Sequence, residues 1–472
     1  MGNNHYDTII IGAGSAGYPC AIRLGQLGKK VLVIEEKELG GVCLNRGCIP
    51  TKALSFAAEM KDNLKKARIM GYRIDDQGLD LAVLRDWKDS VVQRLRSGVI
   101  YLFKQNNVEV KNGKAQILSE HKVECAIKDG EGSGTAAVFE AENIVVATGT
   151  EIMPLPGLDF DHKFIIDTDD ALELKEIPGR LLVVGAGASG LELSSIYSRL
   201  GSKVAVVEIM EQILPGMEHE LCGQLFKILK KSGIEIFLNS RVSGYEMIGT
   251  GDEGLVATIK KVDGETKMTF DKILVTVGRR PVDHALKKFG LATDKKGYLT
   301  VDGSLRTSVK NIYAIGDMIG PPLLAHKATK QGVVCAEILG GERAKFEPRK
   351  VPSCVFTIPP LSTVGMTENE AVAKGLKIKI GRFPYRASGK ALAMGETEGL
   401  VKIIGDEKDR LIGLHILGAE SPSLIAGGML EVEQSVPIRD LTEIIYPHPT
   451  LTEIIGEAAE NYFKKATHIA NK

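Results

Sequence analysis

The sequence predicts an α/β protein: two nucleotide-binding units built on parallel sheets, then a separate C-terminal α+β domain. Three observations predict it. A strand–glycine turn–helix–strand unit occurs twice, apolar strands ending in glycine follow each copy, and from about residue 350 short β-rich runs alternate with helical stretches and carry no glycine fingerprint. The first copy opens on Thr8-Ile9-Ile10-Ile11, turns through Gly12-Ala13-Gly14-Ser15-Ala16-Gly17, and after a helical stretch reaches Val31-Leu32-Val33-Ile34 and then Glu35. The second opens on Leu181-Leu182-Val183-Val184, turns through Gly185-Ala186-Gly187-Ala188-Ser189-Gly190, and ends on Val204-Ala205-Val206-Val207 and Glu208. First glycine to terminal acid is 23 positions in both (Gly12 to Glu35, Gly185 to Glu208).

Each glycine of such a turn has a physical task. The first permits the tight turn, the second lets the backbone approach a pyrophosphate, and the third lets helix pack on strand. The pyrophosphate then sits at a helix N-terminus, where free N–H groups and the helix dipole favour anions. The acid closing the second strand can accept both hydroxyls of an adenosine ribose. Two Rossmann-like units therefore imply two dinucleotides. A carboxylate at Glu208 repels a 2′-phosphate, and Ile209 and Met210 bring no arginine to the spot, so NAD is expected over NADP. The runs from Asn143 to Thr148-Gly149 and from Lys272 to Gly278-Arg279 are expected to close the two units, and Asn311 to Asp317 is a related strand ending in an acid. Residues 1–150 and 151–280 then form the first and second nucleotide-binding domains, 281–349 returns to the first, and after Glu347-Pro348-Arg349 residues 350–472 form the α+β domain.

Composition narrows the function. The 472 residues carry 60 Lys+Arg against 60 Asp+Glu, so neither nucleic acid nor an acidic membrane is an expected partner. No apolar run reaches the roughly eighteen residues of a membrane span. The start Met1-Gly2-Asn3-Asn4-His5-Tyr6 lacks the basic and apolar regions of a signal peptide, and Tyr6 stands where a myristoylated chain would carry Ser or Thr. Seven scattered cysteines fit a reducing cytoplasm, and no His/Cys grouping has zinc spacing. Cys20, Cys125, Cys222, Cys335 and Cys354 read as buried small hydrophobes.

The remaining two, Cys43 and Cys48, lie close together in Gly40-Gly41-Val42-Cys43-Leu44-Asn45-Arg46-Gly47-Cys48-Ile49-Pro50-Thr51-Lys52, about thirty residues after the first glycine turn. A dithiol so near a dinucleotide suggests electrons passing between sulfur and cofactor. In a regular helix residues five apart have Cα atoms roughly 8.7 Å apart, whereas a disulfide needs about 4.4–6.8 Å. If the pair oxidises, the segment cannot be regular helix, and Gly47 is the residue best able to relax it. A distorted turn entering a helix would also lower thiol pKa.

These motifs, with His448-Pro449-Thr450-Leu451-Thr452-Glu453 near the end, resemble the pyridine nucleotide–disulfide oxidoreductases, and most closely the members that oxidise dihydrolipoamide. The resemblance runs nearly end to end. It implies FAD in the first site, NAD in the second, and a homodimer formed through the C-terminal domain. It implies that Cys48 faces the flavin, that Cys43 is the exposed interchange thiol, and that His448, oriented by Glu453, is the base. It implies too that Lys52 and Glu192 pair at the flavin ring, that Asp317 holds FAD, and that Ala325 and Ala115, the latter in Gly113-Lys114-Ala115, lie against it. Glu36, Gly41, Val42 and Val242 join the cofactor-binding set, as do Thr148, Gly149, Gly278 and Arg279. The resemblance implies that the partner is a separate lipoyl-carrying protein of a 2-oxo acid dehydrogenase or glycine cleavage system. Arg46 departs from the family pattern: a solvent-facing side chain is the first reading, and a charge that favours thiolate the second; Tyr446-Pro447 replaces a His-Ala common in relatives. The rival readings are a glutathione- or mercury-type reductase and a non-catalytic flavoprotein subunit. Against them stand Glu208, a tail without cysteine beyond Cys354, and the intact Cys43, Cys48, His448 and Glu453.

Overall fold

The structure is a computed structural model describing residues 4–75, 78–127, 135–249, 254–282, 289–347 and 350–471. The first three residues, the turning point at Pro348-Arg349 and Lys472 lie outside the described residues. The chain divides into two compact units. The first comprises Met1–Ala53, Asp80–Met153 and Gly278–Glu347, and the second Leu54–Leu79, Pro154–Val277 and Pro348–Lys472.

The first unit is built on the strand His5–Ile11, which pairs in parallel with Val31–Glu35 on one side and Ala136–Val146 on the other. Glu109–Ser119 and Ile312–Ala314 extend the parallel sheet at its two ends. Ile9, Ile10, Leu32 and Val33 are all fully buried, the continuous apolar run of a parallel sheet covered on both faces. The strand Lys122–Ile127 pairs antiparallel with both Glu109–Ser119 and Ala136–Val146, so these long strands serve two pairings. The helix Gly17–Gln26 packs on Ala325–Leu339, and Gly332 allows this: a Cβ there would come 2.2 Å from the Ala16 carbonyl oxygen.

In the second unit the strand Arg180–Val184 lies between Lys203–Val207 and Lys272–Val275, all parallel, with Glu235–Phe237 and Ile165–Ile166 outside them. Its C-terminal part is a five-stranded antiparallel sheet in the order Ser353–Val355, Leu361–Gly365, Leu411–Leu417, Leu400–Gly405, Lys379–Pro384. The helix Ser421–Gln434 packs on the second and third of these, and Glu453–Tyr462 on the last two. Among the described residues no helix is long and apolar enough to cross a membrane.

A buried ion cluster joins the two parts of this unit. Lys402, fully buried on its strand, places Nζ 2.7 Å from Glu218 and 2.9 Å from Glu220, at the start of helix His219–Lys231, and in contact with Glu368. Burial pulls the Lys402 ammonium down, but the three carboxylates outweigh it and hold its pKa above the ordinary value. Burial raises Glu218 and Glu220, yet Lys402 and neighbouring donors leave both below the usual carboxylate range. Their contribution to stability is therefore complete above roughly pH 4.3 and is lost as pH falls through the depressed values. Lys402→Ala leaves the buried Glu218 carboxylate, and the half-buried Glu220 and Glu368 beside it, without this cation. It is expected to lower unfolding stability by about 3–5 kcal/mol, read by denaturant unfolding of the flavin-loaded protein.

Candidate functional site

The two glycine turns take the same form. Gly12 and Gly185 have φ of +99° and +105°, which side-chain-bearing residues rarely adopt. A Cβ on the third glycine would clash: 1.9 Å from the Gly12 oxygen at Gly17, and 2.1 Å from the Gly185 oxygen at Gly190. The second glycine is open in both copies, with nothing within 4 Å of Gly187 and only Gly41 Cα, at 3.8 Å, near Gly14. Each turn enters a helix, Gly17–Gln26 or Ala188–Leu200, that has no side-chain cap, which leaves its first N–H groups for an anion. The acids match as well. Glu35 accepts the Ala13 N–H at 2.6 Å and the Lys37 N–H at 2.8 Å; Glu208 accepts those of Ala186 at 2.7 Å and Met210 at 2.9 Å. An open backbone approach, uncapped helix ends and pre-aimed carboxylates fit a dinucleotide at each turn.

The cysteine motif is built onto the first turn. Gly40 donates its N–H to the Ala13 oxygen at 2.9 Å, and a Cβ on Gly41 would stand 2.5 Å from Gly14 Cα. The short helix Gly41–Arg46, which includes Val42, ends at Gly47, and a second helix, Cys48–Ile69, begins at the next residue. The break brings the cysteine Cα atoms to 4.7 Å, and Cys43 and Cys48 are joined by a disulfide. Gly47 suits the close packing here, since a Cβ would lie 3.0 Å from the Val42 oxygen and 3.3 Å from Cys43 Cα, a tight fit against backbone. Asn45 ties the loop by donating to the Leu39 and Gly41 oxygens, and Thr51 Oγ1 donates to the Gly47 oxygen at 2.6 Å. Cys48 is the first residue of its helix, where the dipole favours a thiolate. The Arg46 guanidinium bonds Glu38 at 3.0 Å, so its charge is engaged by a carboxylate.

The other cysteines contrast with this pair. Cys20, Cys125, Cys222 and Cys335 are buried and free, and Cys354 is half-buried. Burial, aided by Glu218, pushes the Cys222 thiol up to about 12. Cys20 is raised by its hydrogen bond to Cys335 and by burial.

Elsewhere in the first unit, Asp317 accepts from Thr150 Oγ1 at 3.3 Å, and Arg279 bonds the Thr150 side chain and carbonyl at 2.9 and 2.8 Å. Burial raises the Asp317 carboxyl above its ordinary range despite Lys327 and Arg279. Burial pulls the Lys327 ammonium down against Asp317, and its Nζ donates to the Gly320 oxygen. Such a half-buried acid beside a cation fits the polyhydroxyl chain of a flavin. Ala325 opens the helix Ala325–Leu339 just beyond. Thr148 donates to the Val282 oxygen at 3.1 Å, the Gly149 oxygen accepts from Val282, and Gly149 and Gly278 have φ of +68° and +141°. Gly113 is required by its neighbouring strand, a Cβ there falling 2.3 Å from the Ala126 oxygen, and Ala115 is buried in the sheet core. Glu36 and Lys52 are half-buried. In the second unit, Glu192 is buried on the helix Ala188–Leu200 and accepts the Phe356 N–H at 2.9 Å; Val242 lies on the strand Arg241–Met247. Thr150 and Lys327 went unmarked in the sequence, although Lys327 stands two residues from Ala325 in Leu324-Ala325-His326-Lys327.

His448 and Glu453 form a pair in the second unit. His448 Nδ1 lies 2.8 Å from one Glu453 oxygen, and the Thr450 N–H donates to the other at 2.8 Å. Burial alone would raise Glu453, but His448 and Thr450 hold it below the usual carboxylate range. Because a carboxylate only accepts, Nδ1 carries the proton and Nε2 keeps a lone pair. The ring is 79% exposed. Tyr446 packs its ring against Gly456 and buries its hydroxyl without a hydrogen-bond partner; burial and Glu431 push that hydroxyl up to about 12.

Twin dinucleotide turns with a disulfide built onto the first define a nucleotide-dependent disulfide oxidoreductase. The family model for the pyridine nucleotide-disulphide oxidoreductases matches residues 6–332, and that for their dimerisation domain matches 351–459. The protein belongs to this family, and its cofactors are FAD and NAD. It is 44% identical to the dihydrolipoyl dehydrogenase of Thermus scotoductus, with 99% of each chain covered. It is 38% identical to that of Bacillus subtilis, with 98% of this chain and 97% of the relative covered. It is also similar to the Cu(II) complex of the HOCl-induced flavoprotein disulfide reductase RclA from Escherichia coli, at a TM-score of 0.85 and 28% identity, covering 97% of this chain and 99% of that one.

Proposed function

We propose that the protein oxidises dihydrolipoamide borne on a separate lipoyl-carrying protein of a 2-oxo acid dehydrogenase or glycine cleavage system, passing the electrons to NAD. The observation that carries this reading is the Cys43–Cys48 disulfide seated on the first glycine turn through Gly40 and Gly41. The full-length likeness to dihydrolipoyl dehydrogenases supports the substrate.

His448 Nε2 takes a proton from one substrate thiol, and Glu453 stabilises the resulting imidazolium. The thiolate attacks Cys43 Sγ, breaking the Cys43–Cys48 bond and leaving Cys48 as thiolate. The second substrate thiol attacks the sulfur bound to Cys43 and its proton passes to the departing Cys43 sulfur, which releases the cyclic disulfide and leaves Cys43 as a thiol beside the Cys48 thiolate. The substrate dithiol loses two electrons and the cysteine pair gains them. FAD, held by the first glycine turn and Glu35, would supply the two-electron chemistry that links the cysteine pair to NAD⁺. Glu35 and Glu208 hold the two adenosine riboses, and Lys52 and Glu192 serve the flavin ring. The working form is a homodimer of the cytoplasm with a site shared between two copies, for which the dimerisation domain and the free buried thiols are the support. Its map is FAD-binding in 1–150 and 281–349, NAD-binding in 151–280 and dimerising in 350–472.

The test compares NADH oxidation by lipoamide with NADPH oxidation by glutathione disulfide on the same yellow protein. Fast turnover of the first pair and little of the second is expected; the reverse would overturn both substrate and nucleotide. Glu208→Ala should raise KM for NADH by about 10–100-fold, the loss of one hydrogen bond to a charged group being worth about 1.5–3 kcal/mol. It should also narrow the preference over NADPH. An unchanged KM would remove Glu208 from the nucleotide site.

A further inference from the structure

A cleft of about 350 Å³ opens beside the helix His219–Lys231, lined by Gln224, Pro384, Arg386 and residues 397–400. It uses no residue of either glycine turn. Its charges are unbalanced for a reason visible along the seam between that helix and the strand Lys379–Pro384. Arg382 donates to both oxygens of Glu220 at 2.9 and 3.0 Å. One helical turn on, on the same face, Gln224 takes the place of that acid. Four residues on from Arg382, Arg386 lines the cleft with this neutral amide.

The acids of the rim are committed elsewhere. Glu396 pairs with Lys66, and Glu398 with Lys231 at 3.0 Å. Among the described residues the Arg386 guanidinium, the Gln224 amide and the Thr397 hydroxyl make no hydrogen bond or ion pair, and the N–H groups of Thr397 and Glu398 have no protein acceptor. One unmatched cation and several unused donors around a cleft of metabolite size are the chemistry of anion capture.

We propose that this cleft is a binding site for a small dianion, bearing phosphate or paired carboxylates, gripped by Arg386 with Gln224 and the 397–398 backbone. An occupant would bridge the helix His219–Lys231 and the segment 384–400, both in the second unit, so binding stabilises that unit.

The test uses the FAD-loaded protein saturated with NAD⁺, which keeps phosphate from the nucleotide sites. Inorganic phosphate and malonate are titrated against sodium chloride of equal ionic strength, by calorimetry and by thermal unfolding. A saturable rise in Tm with at least one dianion, and none with chloride, is expected. A response to phosphate alone marks a phosphate ligand, to malonate alone a dicarboxylate, and to both a site that reads charge. Arg386→Gln should weaken binding by about tenfold or more. Gln224→Glu, which repeats the Glu220–Arg382 pairing one turn on, should abolish the response and raise Tm without any anion. No saturable response to either dianion, or the same affinity in Arg386→Gln, overturns the proposal.

Discussion

Cys43→Ser and Cys48→Ser are each expected to abolish lipoamide turnover, by at least about 10³-fold, while NADH oxidation by an artificial electron acceptor persists. Either change removes the disulfide that the substrate thiolate must attack. A hydroxyl cannot replace it, because serine forms neither the mixed disulfide nor a stable anion near neutral pH. The residues around the first glycine turn are untouched, so the flavin should stay bound and accept hydride from NADH. The two variants should still differ. Cys43→Ser leaves a thiol at the first residue of the helix Cys48–Ile69, where the dipole favours its anion; Cys48→Ser leaves Cys43 inside a short helix. Thiolate in the first variant should therefore persist to lower pH, followed by flavin absorbance or alkylation rate. Wild-type-like lipoamide turnover in either variant would remove the pair from the reaction. Loss of the artificial-acceptor rate as well would instead indicate a damaged flavin site.

How far the sequence shows these features depends on whether their cause is local. The glycine turns are legible because each steric demand is met within a few residues: Gly17 meets the Gly12 oxygen, and Gly190 the Gly185 oxygen. The parallel strands are legible because two covered faces leave unbroken apolar runs. The break at Gly47 follows from chain geometry once the cysteines are taken to bridge, and the bridge is present. Non-local causes are hidden. Thr150, Arg279 and Asp317 meet across 167 positions of sequence. Lys402 looks like any strand lysine in sequence, and only the acids 184 and 34 positions away explain its full burial. Arg46 shows the opposite failing. Its charge is plain in the sequence, but the sequence does not reveal that Glu38 engages it.

His448→Gln should lower kcat/KM for dihydrolipoamide by about 10²–10⁴-fold, the usual worth of a positioned general base, and leave the artificial-acceptor rate unchanged. The ring is mostly exposed and, among the described residues, makes one side-chain hydrogen bond, to Glu453, so the fold should lose no more than about 0.5 kcal/mol. A structural role for His448 would show the reverse, a stability loss with activity kept. Glu453→Gln separates orientation from basicity. The amide oxygen can still accept from Nδ1, at the cost of the Thr450 N–H bond, which then faces the amide NH2, but it cannot stabilise the imidazolium, so the variant should lose activity with the ring still oriented. Because His448 and Thr450 hold Glu453 below the usual carboxylate range, the pair stays intact as pH falls toward that range. Glu453→Gln should lower kcat for dihydrolipoamide while the artificial-acceptor rate is kept. Full lipoamide activity in both Glu453→Gln and His448→Gln would assign proton transfer to another group.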